Sequence, residues 1–384
     1  MSISGDNQLL IGDSHSDANL RYASGVLLHD PFACLQTAGR LYLLVNDIEA
    51  LRLRKSVRGR IVVPLSTCLR WAQAASWGRK AADRAGALTR AVAGFAQQRG
   101  IRKFYVPANF PLGVAKELRD LGIRLKPRPD PFFPERGLKT PGEVRKISAT
   151  LVMAEVGMAE AIQALRTSRV GAGGKLILRG APLTSDRLRA IIDCAILQAG
   201  GMACSTIVAG GTQACDPHEP GHGPLKAGQA IVLDVFPRSV RTGYYADITR
   251  TVVKGRAPDA IRAMYLAVKA SEELGISLLR EGVSAAGVHE RVAACLAQQG
   301  FKTGTVGSRS KGFFHGTGHG LGLDLHELPR ISERSNDVLR AGQVVTVEPG
   351  LYYPGIGGVR LEDVALITRR EARVMTDFER VLEV

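Results

Sequence analysis

The stretch from His315 to Pro329 places three of the chain's eight histidines, at 315, 319 and 326, within twelve positions, with glycines at 316, 318, 320 and 322 between them. Histidine is the commonest metal ligand and the usual proton carrier near neutral pH. Glycine packs nothing and costs conformational entropy, so four of them here need a reason. The expectation is a backbone that passes close to whatever the imidazoles hold. Elsewhere, four acids interrupt apolar, strand-like runs: Asp234 within 230–236, Asp247 within 244–251, Glu348 after 344–347 and Glu362 within 358–367. An unpaired carboxylate in such a run is costly or takes up a proton, so cations must compensate it. Arg250 and Arg360 could serve some of the four. Four carboxylates with one imidazole form a hard, mainly oxygen donor set, which suits two divalent ions, Mn²⁺ or Co²⁺ ahead of Zn²⁺. The lack of cysteine ligands argues against a structural zinc site. Two ions held by shared carboxylates activate a water and polarise a carbonyl, and that chemistry is hydrolysis.

The elements that must position these groups follow from hydrophobic periodicity and its punctuation. The first 130 or so residues alternate strands (40–45, 60–64, 101–106) with helices (81–98, stopped by Gly100, and about 112–121). That alternation predicts an α/β layer domain. Prolines at 127, 129, 131 and 134 and Gly137 mark a linker. Thr140, Pro141 and Glu143 then have the spacing of a capping box with proline at the first helical position. The helix they open is expected to run to about Arg166, and further helices are expected near 184–199, 259–280 and 284–299. Residues 1–137 and 138–384 are read as two domains.

Composition sets the outer bounds. The length of 384 residues is enough for two cores, and 45% hydrophobic with 23% charged residues is ordinary for a globular protein. No apolar run approaches the roughly 18 residues of a membrane span, and the amino terminus lacks a signal-peptide pattern. The six cysteines, at 34, 68, 194, 204, 215 and 295, show no paired spacing and read as reduced, mostly buried thiols of a cytoplasmic protein. The net charge of +15 is concentrated in the first 139 residues, which hold 22 Lys and Arg against 11 Asp and Glu. No aromatic interleaving or nucleic-acid motif accompanies it, so it reads as a solvated basic face and a nucleic-acid partner is not expected.

The acids and the histidine loop, taken in order, resemble the ligand set of the pita-bread metallopeptidases, a family that includes methionine aminopeptidase, aminopeptidase P and prolidase. The matching motifs are Asp-Ile-Thr-Arg-Thr (247–251), the histidine–glycine stretch of 315–329, Glu-Pro-Gly-Leu-Tyr (348–352) and Val-Arg-Leu-Glu-Asp (359–363). The resemblance implies an α/β amino-terminal domain followed by an α+β pita-bread catalytic domain. It implies Asp234, Asp247, His319, Glu348 and Glu362 as metal ligands, with His319 rather than His315 on the metal. It also implies Glu348 as acid/base, His326 beside the scissile carbonyl oxygen, His218 near the leaving group and His315 as the extra histidine of proline-specific members. Arg360 is expected to orient Glu362 or groups behind the ligands. The interval between Asp234 and Asp247 is about two residues longer than usual in the family, and a hairpin turn can absorb the excess.

Methionine aminopeptidases lack an amino-terminal domain of this size, and creatinase shares the fold without the ligands. Residues 1–135, with Tyr22-Ala-Ser-Gly25, resemble the leading domain of aminopeptidase P, prolidase and creatinase. The implied activity is therefore cleavage of Xaa-Pro bonds in short proline-containing peptides by a homodimer, with Xaa-Pro dipeptides slightly preferred over longer chains. A dipeptidase also needs a cation for the proline carboxylate. Arg330, four residues past His326, is the candidate by position. A binding-only protein on the same scaffold would be expected to have lost ligands, and all five are present.

Overall fold

The computed structural model describes residues 6–73 and 83–384. They divide into two compact units, Met1–Pro134 and Glu135–Val384.

In the first unit a six-stranded sheet has the order Ile61–Pro64, Arg40–Val45, Phe32–Thr37, Gln8–Gly12, Lys103–Pro107, Arg124–Arg128. Arg40–Val45, Phe32–Thr37 and Gln8–Gly12 pair antiparallel with one another, and the other three pairs are parallel. Side chains alternate across the sheet with period two. Leu9, Ile11, Leu35 and Leu44 pack on one face with Phe95, and Leu10, Cys34 and Leu43 on the other with Leu20 and Phe132. The helix expected over 81–98 is broken: Asp83 and Arg84 are helical, the chain bends at Ala85, and extended Gly86 caps the helix Ala87–Gln98. Ala81 and Ala82 lie outside the described residues. Its end is as expected: Gly100 takes a φ of 67°, and Ile101 N donates to the Ala96 carbonyl. Tyr22 to Gly25 close a short helix, Ala18–Ser24, with Gly25 left-handed at its C-cap. The linker starts later than its prolines suggest, since Pro127 belongs to the edge strand Arg124–Arg128, where a missing N–H is tolerated. The cysteines are all free, but only Cys34 and Cys68 are buried; Cys194 is exposed and the other three half-buried.

The second unit opens with the helix Pro141–Thr167, whose Thr140 and Glu143 form the full reciprocal capping box. By length and mean hydropathy this helix could cross a membrane, yet half of its most apolar window is buried inside the protein. Gly157 lets the following helix, Ser185–Gln198, come close: a Cβ there would lie 2.9 Å from Ile196. A second helix pair, Asp259–Leu278 and Ala285–Gln298, covers the strands with Met264, Val268, Val292 and Leu296. Two sheets matter for function. One has three antiparallel strands in the order Ile207–Gly210, Ala230–Val235, Ile248–Val253. The other runs Glu327–Ile331, Gly318–Gly320, Val344–Val347, Asp363–Ile367, Ala372–Val374. A single bridge between Thr249 and Glu362 joins them.

Candidate metal centre

Strand register brings the acids together. Asp234 pairs with Thr249, Thr249 bridges to Glu362, and Val347 pairs with Asp363, so Glu348 and Glu362 leave adjoining strand ends side by side. Asp247 enters at the start of Ile248–Val253. The chain between Asp234 and Asp247 is closed by Ser239 N on the Tyr244 carbonyl and by Gly243 N on the Ser239 carbonyl, which puts the extra residues at the tip of the excursion. His319 arrives on Gly318–Gly320, its amide donating to Thr346 Oγ1 at 3.1 Å. A Cβ at Gly318 would lie 2.0 Å from the Thr346 carbonyl oxygen, and one at Gly320 2.3 Å from that of Leu328. These glycines let the strand press against neighbouring backbone.

The result is a cavity of about 590 Å³ in the second unit. Asp234, Asp247, His319, Glu348 and Glu362 line it, as do His218, His315, His326, Arg330 and Arg360. One ligand atom each of Asp247, His319 and Glu362 fall within 4.8 Å of one another. His319 Nε2 stands 3.7 Å from Asp247 Oδ2 and 3.5 Å from Glu348 Oε1. Its Nδ1 faces the Gly320 carbonyl at 3.1 Å, so that nitrogen carries the proton and Nε2 offers its lone pair to the acids. Burial first, and His326 with it, push the His319 imidazole down to about 3.

The charges here do not balance with protein groups alone. Burial, then the neighbouring acids Asp234 and Glu348, raise Asp247 well above the carboxylate range. Glu362 is raised by burial and by Asp247. Burial and the charge of Asp234 bring Glu348 up to about 7 against the pull of Arg360. Asp234 Oδ1 and Glu362 Oε1 are buried without a hydrogen-bond partner. Clustered acids with orphaned oxygens beside a neutral imidazole lone pair fit divalent cations held by oxygen and nitrogen.

Of the two expectations for Arg360, the second holds: it makes no bond to Glu362 itself but acts on groups behind the ligands, its Nε donating to Thr249 Oγ1 at 3.3 Å. Its Nη2 donates to Asp234 Oδ2 at 2.7 Å and its Nη1 to the Tyr352 hydroxyl at 2.9 Å. Glu362 is held instead by Thr249, whose hydroxyl donates to Oε2 at 2.8 Å. Arg250, 2% exposed, donates to the Glu362 carbonyl at 2.7 Å and to Asp363 Oδ1 at 2.8 Å. His315 has both nitrogens engaged within the protein, Nδ1 on the Gly316 carbonyl and Nε2 on the Tyr352 hydroxyl. His326 is exposed to the cavity, its ring edge-to-face with His319 at 4.4 Å. His218 and Arg330 are exposed on the cavity wall. Sequence reasoning assigned no role to Thr249, Thr346 or Tyr352. For Thr249 and Tyr352 the signal was their place inside the family motifs; Thr346 lies in the apolar run 344–347 just ahead of Glu348.

Residues 145–369 match the model of metallopeptidase family M24. The chain belongs to that family. Among curated relatives, this M24 chain is 34% identical to a Xaa-Pro dipeptidase of Pyrococcus horikoshii over 181 residues, 47% of this chain and 49% of that protein. The match thus spans about half of that relative's length. A solved structure named Xaa-Pro dipeptidase, from Bacillus anthracis, superimposes with a TM-score of 0.80 at 22% identity, covering 99% of this chain and 95% of that one. An X-Pro aminopeptidase from Thermotoga maritima does so with a TM-score of 0.80 at 20% identity, covering 100% and 98%. The M24 chain has the fold of these proteins: an α/β amino-terminal unit followed by an α+β pita-bread unit.

Proposed function

We propose that this protein is a metal-dependent exopeptidase that hydrolyses the Xaa-Pro bond at the amino end of short peptides, with Xaa-Pro dipeptides preferred. The observation that carries this reading is the buried cluster of Asp234, Asp247, Glu348, Glu362 and His319 on one cavity wall, with two carboxylate oxygens left unpartnered and His326 facing the same space. The likeness to Xaa-Pro dipeptidases and to an X-Pro aminopeptidase supports the choice of a bond before proline. Residues 138–384 hold every residue given a role in this reading.

Two divalent ions would be held by Asp234, Asp247, His319, Glu348 and Glu362, and Mn²⁺ suits the oxygen-rich set best. When bound, such ions supply a water of lowered pKa and a polarised carbonyl. The rest is done by side chains. Arg360 and Thr249 fix Asp234 and Glu362. Glu348, whose Oε1 stands 3.5 Å from His319 Nε2 in the cavity, takes a proton and returns it to the leaving nitrogen. His326 donates to the carbonyl oxygen as it gains charge, and burial, then Arg330 and His218, lower the imidazole. His218 stands where the leaving group departs. His315 braces Tyr352, which in turn receives Arg360. Arg330 receives the proline carboxylate.

One observation favours longer substrates as a second reading. A further chamber of about 500 Å³, walled by Gln213, Arg309 and Ser310, adjoins the first through Asp216, Pro217 and Phe314. Release of proline from Ala-Pro and Leu-Pro with Mn²⁺, compared with tri- and pentapeptides, decides between them. Dipeptides cleaved fastest uphold the first reading, and equal or faster cleavage of longer chains establishes the second. No cleavage of any of them with Mn²⁺, Co²⁺ or Zn²⁺ would end both. In the same assay His326→Ala is expected to lower kcat on the order of 10²–10³-fold, with bound metal retained. Lost metal in that variant, with metal kept in His319→Ala, would show that the ligand is the other histidine.

A further inference from the structure

His326 reaches the cavity on an excursion of the chain. The strand Gly318–Gly320 pairs with Glu327–Ile331, His319 opposite Arg330 and Gly320 opposite Glu327, so the shifted register leaves out Leu328 and Pro329, and residues 321–326 form the loop between the two strands. Little secondary structure holds them. What they enclose is the carboxylate of Glu327, whose side chain is only 8% exposed. Its Oε1 accepts from the amides of Leu323 at 2.9 Å and Asp324 at 3.1 Å and from Arg136 Nη2 at 2.6 Å. Its Oε2 accepts from Lys139 Nζ at 2.6 Å. Arg136 also bonds Asp324 at 2.8 Å, and Lys139 Nζ bonds the Arg136 carbonyl at 2.6 Å. Gly322 lies so close that a Cβ would meet Glu327 Oε2 at 2.6 Å.

A short loop can be closed by turn residues alone, and burying three ionised side chains costs desolvation that their attraction does little more than offset. What such a network fixes is geometry. We propose that Glu327, clamped by Arg136 and Lys139, is a positioning residue that holds His326 edge-on to His319 in its working orientation. The proposal rests on the reading that His326 acts on the scissile carbonyl. Glu327 touches neither substrate nor the acid cluster; it acts through the residue beside it. Burial alone would raise its carboxyl, but Lys139 and then Arg136 hold it below the usual range, so it is an anion whenever the enzyme works.

The test is a double-mutant cycle read as kcat and KM, with bound metal measured by mass spectrometry. Glu327→Gln keeps the shape and removes the charge. It is expected to lose on the order of 10²-fold in kcat, the effect of a misplaced catalytic group, with KM and metal content near wild type. Lys139→Arg, which keeps the cation, should retain activity that Lys139→Met loses. In a His326→Ala background Glu327→Gln should cost nothing more. If the two losses multiply, or if Glu327→Gln loses metal in proportion to activity, the clamp is overturned and the role of His326 stands. Full activity in His326→Ala would overturn that role and the clamp with it. Should Glu327→Gln fail to fold, Arg136→Gln, which leaves Lys139 to balance the anion, carries the same cycle.

Discussion

The two units bury different things. Among the described residues of the first, the buried polar side chains are Gln8, Ser14, Ser24, Thr37 and Thr89, and none is charged. The second buries Lys139, Asp234, Asp247, Arg250, Glu272, His319, Arg360, Glu362 and Asp363. Yet the first carries the greater share of net charge, and none of its described charged residues is fully buried. Charge in water is inexpensive and does little, whereas charge taken out of water must be matched, and the matching group is where chemistry starts. Buried charge, not total charge, marks the unit that holds the acid cluster.

The largest effect that could break this contrast lies at the acids. Asp247→Ala and Glu362→Ala should each reduce peptidase activity to the uncatalysed background and bring bound metal well below two ions per chain. Full metal content in either would remove that residue from the ligand set. In the first unit the equivalent insult is to packing. Phe95, wholly buried against Tyr42, should cost about 3–5 kcal/mol of stability as Phe95→Ala in denaturant melts. Metal bound per chain should be unaffected, and metal lost in proportion would show that the contrast is false.

A smaller effect concerns the charges behind the site. Glu272, fully buried, meets Arg380 at 3.0 Å beside Asp363, and burial with the Asp363 charge raises its carboxyl to about 8. Because the folded value exceeds the unfolded one, the stability this group gives is complete below about 4.5 and is lost as pH rises through about 8. Thermal melts should therefore decline across that window by the equivalent of a few kcal/mol, and Glu272→Gln should flatten the decline. An unchanged slope would mean that the carboxyl is ionised throughout. Smallest of all, Arg52→Ala removes an exposed partner of Glu49 in the first unit. It should shift stability by no more than about 0.5 kcal/mol.

These differences explain what could be read from sequence. Acids inside apolar strands stand out because they are expensive, so Asp234, Asp247, Glu348 and Glu362 were legible, and a helix that begins with Thr140, Pro141 and Glu143 announces itself locally. The partners were not legible, because they depend on register between distant strands. Nothing near Thr249 in the chain says that its hydroxyl meets Glu362, 113 residues away. Arg360 stands two positions from Glu362 but reaches Asp234 across 126. The same holds for Lys139 and Glu327, separated by 188. Gly86 hid the start of the helix Ala87–Gln98, since glycine inside an alanine-rich run is tolerated by pattern even where the backbone has already turned extended.

The glycines beside His319 also limit how this enzyme can be altered. A single added carbon at Gly318, Gly320 or Gly358 would sit 2.0, 2.3 or 1.8 Å from a carbonyl oxygen of the neighbouring chain. No rotamer relieves such an overlap, because the obstacle is backbone. Mutation, natural or directed, therefore has no gradual route through these positions. Phe314, Leu325 and Ser332 line the same cavity and already carry a Cβ. A library meant to change which peptides are cut should randomise those three and leave the glycines untouched.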